Sequence, residues 1–357
     1  MRAAAPEPDL ARTRALVLAH GWNSTCYQLL NPGLARWFAP EGDAVVGYRS
    51  FGGVRVAAGA PVCAAARLAD VAAAFERSAR AASEGVCWFG AEARLEAVYA
   101  GAPGHALVQL GAQPVWDPRH WSAVVARHAS VRAQLHRARN KGVAVREWPA
   151  ARAHASPALR RVLHAWLAGR GLPPLHFMVE PETLERLYDR RVLVAERDGA
   201  PVGFALLSPV PTRGGWLVEQ WPRAPEAPNG TAELLIDGAM RALAADGAAF
   251  VTLGLAPLAR RAERPPTADA APLWLRALLG WLRVHGRRFY NFQGLERFKA
   301  KLDPDGWEAV FAIAAEPHFS PRTLWAIAGA FGGGSPARTV AGGLGRAIRT
   351  ELRWLTG

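Results

Sequence analysis

Three stretches of this chain hold residue types whose spacing could do chemistry. The first runs Glu219-Gln220-Trp221-Pro222-Arg223 and continues to Asn229-Gly230-Thr231. Glu219 lies in an otherwise apolar and aromatic segment, Trp216 to Trp221. A carboxylate held there is either the ion-pair partner of Arg223 or an acid, base or ammonium-binding group lining a cleft. Asn229-Gly230-Thr231 has the composition of a turn that opens a helix, whose free amides and dipole would face an anion. The same residues also read as a plain capped turn. The second stretch is basic, with Arg127, Arg132, Arg137, Arg139 and Lys141 at helical spacing. The third, YNFQGLERFKAKLDP from Tyr290 to Pro304, sets Arg297, Lys299 and Lys301 behind Tyr290, Asn291 and Gln293.

Of 43 cations only Lys141, Lys299 and Lys301 are lysines. In so arginine-rich a chain a surviving lysine marks a place where a compact, flexible ammonium matters more than a planar fork; chance is the other reading for three residues. The net charge of +13 predicts attraction to polyanions and does not choose between nucleic acid and anionic lipid. No Ser/His/Asp arrangement, HExxH or phosphate-loop sequence occurs, so hydrolase and nucleotide-hydrolysing readings have no support. The three cysteines, Cys26, Cys63 and Cys87, show no metal spacing, and the expectation is a reducing compartment with no disulfide and no metal. Arg139-Asn140-Lys141-Gly142-Val143-Ala144 matches an acyl-CoA signature, but it closes a basic helix and enters a strand, the reverse of what cradling a pyrophosphate needs.

The elements that must position these residues follow from periodicity. In the first half, 43–48, 54–58, 86–89 and 106–110 read as strands, 68–82 as a helix, and 121–141 as one basic amphipathic helix stopped by Gly142. In the second half a helix opens at Ser156-Pro157, and strands at 192–196 and 202–207 are joined at Asp198-Gly199, a hairpin signal. Then come a strand at 216–221, helix 231–244, strand 250–255, helix 273–284 and strand 307–314. Hairpin strands, a third strand, helix, strand, helix, strand is the order of the GNAT acyltransferase fold.

At 357 residues the chain exceeds the ~250 at which single cores stop growing. The expected class is therefore α/β with two tandem GNAT-like lobes: 1–150 ending in the basic helix, 151–317 with the motifs above, and a Gly/Arg-rich tail, 318–357. In the tail Leu344, Ile348, Leu352 and Leu355 oppose Arg346, Arg349 and Arg353. That pattern suits either an anionic membrane surface or packing on the second lobe. The N-terminal apolar run, Ala15 to Ala19, is too short for a secretory signal, and no stretch reaches the ~18 apolar residues of a span.

Phe250 to Arg261, FVTLGLAPLARR, and Tyr290 to Phe311 resemble the C-terminal catalytic domains of bacterial phosphatidylglycerol lysyl- and alanyltransferases. Val56 to Val62, Val131 to Gly142 and Glu219 to Asp237 extend the resemblance over most of 45–314. It implies a dual-GNAT fold that takes an aminoacyl group from aminoacyl-tRNA to a hydroxyl of a membrane lipid such as phosphatidylglycerol, without metal or other cofactor. It further implies that Glu219 and Arg223 form the catalytic centre. Asn229, Gly230, Thr231, Gly254, Tyr290, Asn291 and Gln293 would meet substrate, and Arg132, Arg137, Arg139, Lys141, Arg297, Lys299 and Lys301 would meet tRNA. The expected partners are aminoacyl-tRNA and an anionic lipid, at the cytoplasmic face of the membrane. An acyl-CoA donor, or a non-catalytic tRNA- or membrane-binding role, stands as the alternative. The family's Asp-x-x-Arg is one residue longer here, and Leu302 to Gly306 also lengthens its pattern.

Overall fold

The computed structural model describes residues 8–169, 175–259, 261–262, 272, 274–275 and 292–332. Tyr290, Asn291, all but residues 274–275 of the expected helix at 273–284, and the amphipathic pattern at 344–355 lie outside them.

In chain order the elements of the first half are α1 (Pro8–His20), β1 (Ala35–Phe38), β2 (Val45–Phe51), β3 (Val54–Ala58), α2 (Leu68–Ala81), β4 (Gly85–Ala91), α3 (Ala93–Tyr99) and β5 (Ala106–Trp116). Then follow α4 (Trp121–Arg127), α5 (Ala129–Asn140), β6 (Val143–Trp148), α6 (Ala150–Ala155), α7 (Pro157–Ala168), β7 (Arg191–Arg197), β8 (Ala200–Val210) and β9 (Gly215–Gln220). The chain continues through α8 (Thr231–Ala245), β10 (Phe250–Thr252), β11 (Ala256–Pro257), α9 (Phe292–Lys301), β12 (Gly306–Ala314) and α10 (Pro321–Phe331).

Among the described residues the strands form one mixed sheet in the order β1-β2-β3-β4-β12-β5-β10-β9-β8-β7-β6, with β11 paired to β5. Each half of it holds a parallel pair joined through a helix, β3-α2-β4 and β9-α8-β10, in the expected α/β class with two GNAT-like lobes. Period-two alternation divides β4 and β12 between two cores. Trp88, Phe311 and Ile313 pack with Val71 and Phe75 of α2, whereas Cys87, Ala312 and Ala314 pack with Val17 of α1 and Ala326 of α10. On the second half, Leu193, Ala205 and Val218 face α4, α5 and α8, while Val192, Val194 and Phe204 face α6 and α7.

The lobes do not divide at 150. β12, from the second half of the chain, lies between β4 and β5 of the first. The basic helix packs on the second lobe, burying Val131, Leu135 and Ala138 against Leu234 and Leu235. The start of the expected tail is α10, whose Ala326, Ile327 and Ala330 belong to the first core. Sequence order alone cannot show such exchange, because each element is locally ordinary.

The single basic helix is two. It breaks at His128 (φ −101°, ψ 95°), and the Arg132 side chain donates across the break to the carbonyls of Val125, at 3.1 Å, and Ala126. The hairpin falls as expected: Asp198 and Gly199 both take positive φ (52° and 77°), the conformation of a two-residue β-turn. Ser156 caps α7 by accepting from the Leu159 amide at 3.3 Å.

Candidate functional site

β9 carries Glu219 toward the junction of the lobes, and its partner there is Arg190, not Arg223. Arg190 donates from Nε to Glu219 Oε2 at 3.0 Å and from Nη2 to Oε1 at 3.1 Å, and the Ser208 hydroxyl donates to Oε2. Both ion-pair side chains are buried, at 1% and 6% exposure. Arg190 also reaches Arg186 O at 2.8 Å and Asn31 Oδ1 at 3.3 Å, and its guanidinium lies 5.0 Å from the Tyr27 ring. The pair therefore staples β9 to the first lobe. This pairing gives Glu219 a structural task, with Arg190 in the place expected for Arg223.

Immediately beyond β9 the surface opens into a cleft of about 380 Å³. Gln134 and Arg137 of α5, Trp166 of α7, Trp221, Arg223 and Asn229 after β9, the first turn of α8 with Glu233, and Leu295 and Phe298 of α9 line it. Thus Arg137, Arg223, Asn229 and Gly230, named from sequence, converge on one place. Gly230 has φ 95°, and a Cβ on it would stand 2.1 Å from the Gln134 carbonyl. Only glycine lets α5 approach the start of α8 so closely. This contact is what brings the basic helix to the cleft.

Other expected residues do not face it. Thr231 is fully buried and turns its hydroxyl back to Pro228 O at 2.6 Å. Gly254 supplies a carbonyl that accepts from Lys299 Nζ at 2.7 Å, with Leu255 O a second acceptor at 3.0 Å. Lys299 is 1% exposed, and burial lowers its pKa to about 7. It holds the loop after β10 from within, so the phosphate contact expected of it is corrected to an internal one. Arg132 is spent on the α4–α5 break, and Arg139 pairs at 2.8 Å with buried Asp237, which also accepts from Trp121 Nε1 at 2.9 Å. Lys141 and Arg297 are exposed, Gln293 is half-buried on α9, and Lys301 pairs with Glu233 at 2.9 Å.

The sequence reading missed Gln134, Trp166, Trp221, Glu233, Leu295 and Phe298. Trp166 reads as core from its helical face, and Glu233 as an ordinary first-turn acid. The signal that could have found the aromatics is their adjacency to cations, as in Trp221-Pro222-Arg223 and Phe298-Lys299. Among the described residues no group of three or more His, Cys, Asp or Glu could hold a metal, and no helix is long and apolar enough to cross a membrane.

Comparison with known proteins agrees with this architecture. A model of the family described as "Phosphatidylglycerol lysyltransferase, C-terminal" matches residues 14–314. The lysylphosphatidylglycerol biosynthesis bifunctional protein LysX of Mycolicibacterium gilvum (strain PYR-GCK) is 27% identical over 318 residues, 88% of this chain; the chain spans 28% of that relative's length. The C-terminal domain of a putative lysylphosphatidylglycerol synthetase from Agrobacterium fabrum superimposes with a TM-score of 0.77 at 22% identity, covering 91% of this chain and 98% of that one. L-PGS from Bacillus licheniformis gives 0.71 at 21% identity, covering 89% and 93%. A match running from α1 to the end of β12, through every strand of the exchanged sheet, leaves one conclusion: the chain belongs to the phosphatidylglycerol lysyltransferase C-terminal family.

Proposed function

We propose that the chain transfers an aminoacyl group from aminoacyl-tRNA to a hydroxyl of a membrane lipid such as phosphatidylglycerol, working peripherally at the cytoplasmic face of the membrane. The family match across 14–314 carries this reading. An aminoacyl ester is already activated, so the protein needs chiefly to hold donor and hydroxyl together and stabilise an oxyanion. No cofactor enters the scheme.

In the cleft Arg137 and Arg223 are the cations for phosphate or oxyanion, and Asn229 with the first-turn amides of α8 adds donors. Glu233, shared with Lys301, is the carboxylate that meets an α-ammonium. Glu219 acts at one remove, through the Arg190 staple that fixes the end of β9. Lys141 and Arg297 extend the cationic surface beyond the cleft. Incubating the purified chain with charged tRNA and phosphatidylglycerol vesicles yields an RNase-sensitive aminoacyl lipid if this is right. No product with any aminoacyl-tRNA sinks it, and saturable CoA binding by calorimetry would instead favour an acyl-CoA donor.

A further inference from the structure

Of the five exposed large apolar side chains among the described residues, four fall along one band: Leu18 on α1, Tyr188 and Val179 in the stretch before β7, and Trp325 on α10. That stretch is tied at both ends. Asp189, beside Tyr188, pairs with Arg14 of α1, and Phe177, two residues before Val179, meets the Phe331 ring of α10 edge-on at 5.3 Å. Val17, Phe177, Met178 and Ala326 all fill the first core, so Leu18, Val179 and Trp325 stand on the outside of one layer. Apolar residues exposed singly are ordinary; four of five along one band mark an interaction surface. None of the four lines the cleft beyond β9, and α10 begins after residue 314, where the family match ends.

At its α10 end the band carries charge of one sign. Neither α10 nor the strands β2 and β3 beneath it contain an Asp or Glu. Arg322, exposed one turn before Trp325, donates to Gly52 O at 2.8 Å and Gly53 O at 3.1 Å. Arg49 donates to Ala330 O at 2.8 Å and Gly33 O at 3.0 Å. Carbonyl partners fix a guanidinium without cancelling its charge. The nearby acids are engaged or lie at the border. Glu316 accepts from the Ser320 amide at 2.8 Å, Asp189 is taken by Arg14, and Glu180 is buried against His176. Asp9 sits at the far end of α1 from Leu18, and Glu182 and Glu185 flank Leu184, where the stretch joins the core of α6 and α7. A second copy seated here about a two-fold axis would set these arginines against their own kind. Tryptophan and arginine side by side around an apolar band are instead the make-up of an interfacial anchor on anionic lipid.

We propose that this outer layer of the first lobe docks the chain on an anionic bilayer, with Trp325 at headgroup depth and Arg322 and Arg49 against lipid phosphates. That a bilayer is the occupant rests on the proposed function; the choice of face rests on the band and its charge. The second-lobe cleft is then left open while the chain is docked.

The test is co-sedimentation of the full chain with phosphatidylglycerol-rich and with phosphatidylcholine vesicles. Wild type prefers the anionic vesicles. Trp325→Ser weakens that binding about tenfold, since only the exposed part of the ring is left to bury, and Arg322→Gln about fivefold. Both bind tRNA like wild type. Should Arg322→Gln disturb the turn at Gly52 and Gly53, Arg322→Lys, which keeps the charge, restores vesicle binding. Anionic-vesicle binding unchanged in Trp325→Ser and in Leu18→Ser/Val179→Ser overturns the proposal. So does self-association that these variants dissolve without touching vesicle binding, which assigns the band to a second copy. Transfer is assayed on the same preparations. With short-chain phosphatidylglycerol dispersed as monomers Trp325→Ser transfers like wild type, and a loss there as large as on vesicles also overturns the docking. Trp325-dependent vesicle binding without aminoacyl lipid upholds the docking face and sinks the proposed function, and aminoacyl lipid made on vesicles at the wild-type rate by Trp325→Ser does the reverse.

Discussion

Two residues apart on the chain, Glu219 and Trp221 stand in regions of opposite character. Glu219 closes a buried ion pair whose donors come from β8 and from the turn before β7, and whose Arg190 also donates to Asn31 of the first lobe. Trp221 and Arg223 border an open cleft whose two lining arginines, Arg137 and Arg223, meet no carboxylate among the described residues. The buried region has the residue types expected of catalysis, and uses them to hold the lobes together. The cleft is built from a turn and a run of ordinary packing residues, and holds the surface a substrate can reach. A titratable residue among apolar neighbours signals expense, and the expense is as readily met by an internal partner as by a ligand.

The largest effect expected of the contrast is on stability at the buried centre. Glu219→Ala strands the Arg190 guanidinium at 1% exposure, so it should cost about 3–5 kcal/mol in urea unfolding, the usual result of breaking a buried pair from one side. Glu219→Gln should cost less, since an amide still accepts from Arg190 and Ser208. If Glu219→Gln unfolds like wild type while transfer is abolished, the two regions are not distinct in kind and Glu219 does chemistry.

A smaller effect separates the neighbouring lysines of α9. Lys299 is charged in the unfolded chain up to about 10.5 but only up to about 7 when folded. Between those values the unfolded state binds more protons, so this group makes stability rise with pH, by at most about 1.4 kcal/mol per unit. Glu92 in the first lobe works with opposite sign. Burial, partly offset by the Ser24 hydroxyl and amide, raises its pKa from 4.5 to about 7, so its contribution falls as pH climbs through that window. Lys299→Met should flatten the alkaline limb of a stability-versus-pH curve, and Glu92→Gln the limb between about 4.5 and 7. Lys301→Met instead removes a partly exposed partner of Glu233, at 2.9 Å, and should cost no more than about 1 kcal/mol. An alkaline limb unchanged in Lys299→Met would mean that its ammonium reaches solvent and belongs with the cleft after all.

Much of the fold was legible because its signals are local. The Asp198-Gly199 turn, the Ser156 cap and the alternation along β4 each declare themselves within a few residues. The exchange of β12 into the first lobe, and of the basic helix onto the second, was not legible, because pairing partners at that separation leave no trace in periodicity. The site divides the same way. Arg137, Arg223, Asn229 and Gly230 were found as residue types, but the direction of Lys299, two positions from Lys301, depends on which side of α9 meets the Gly254 loop. About half a turn of helix decides between a buried strut and a rim cation, and a lone pair of lysines carries no period from which to read it.

The smallest effect on stability is the most discriminating. Arg223 is exposed and its side chain touches no carboxylate among the described residues, so Arg223→Gln should leave the unfolding free energy within about 0.5 kcal/mol of wild type. Its removal should nevertheless weaken tRNA binding at every sequence alike. The slope of log K against log salt should flatten by about 1, as one fewer phosphate contact releases one fewer counterion. Arg139→Gln supplies the internal comparison: Arg139 also lies on the basic face, but it is tied to Asp237. Its loss should cost stability through that buried carboxylate and leave the slope nearly unchanged. If both variants flatten the slope equally, the carboxylate-paired cations are as available to RNA as the unpaired ones, and the distinction between closed centre and open cleft fails where it was sharpest.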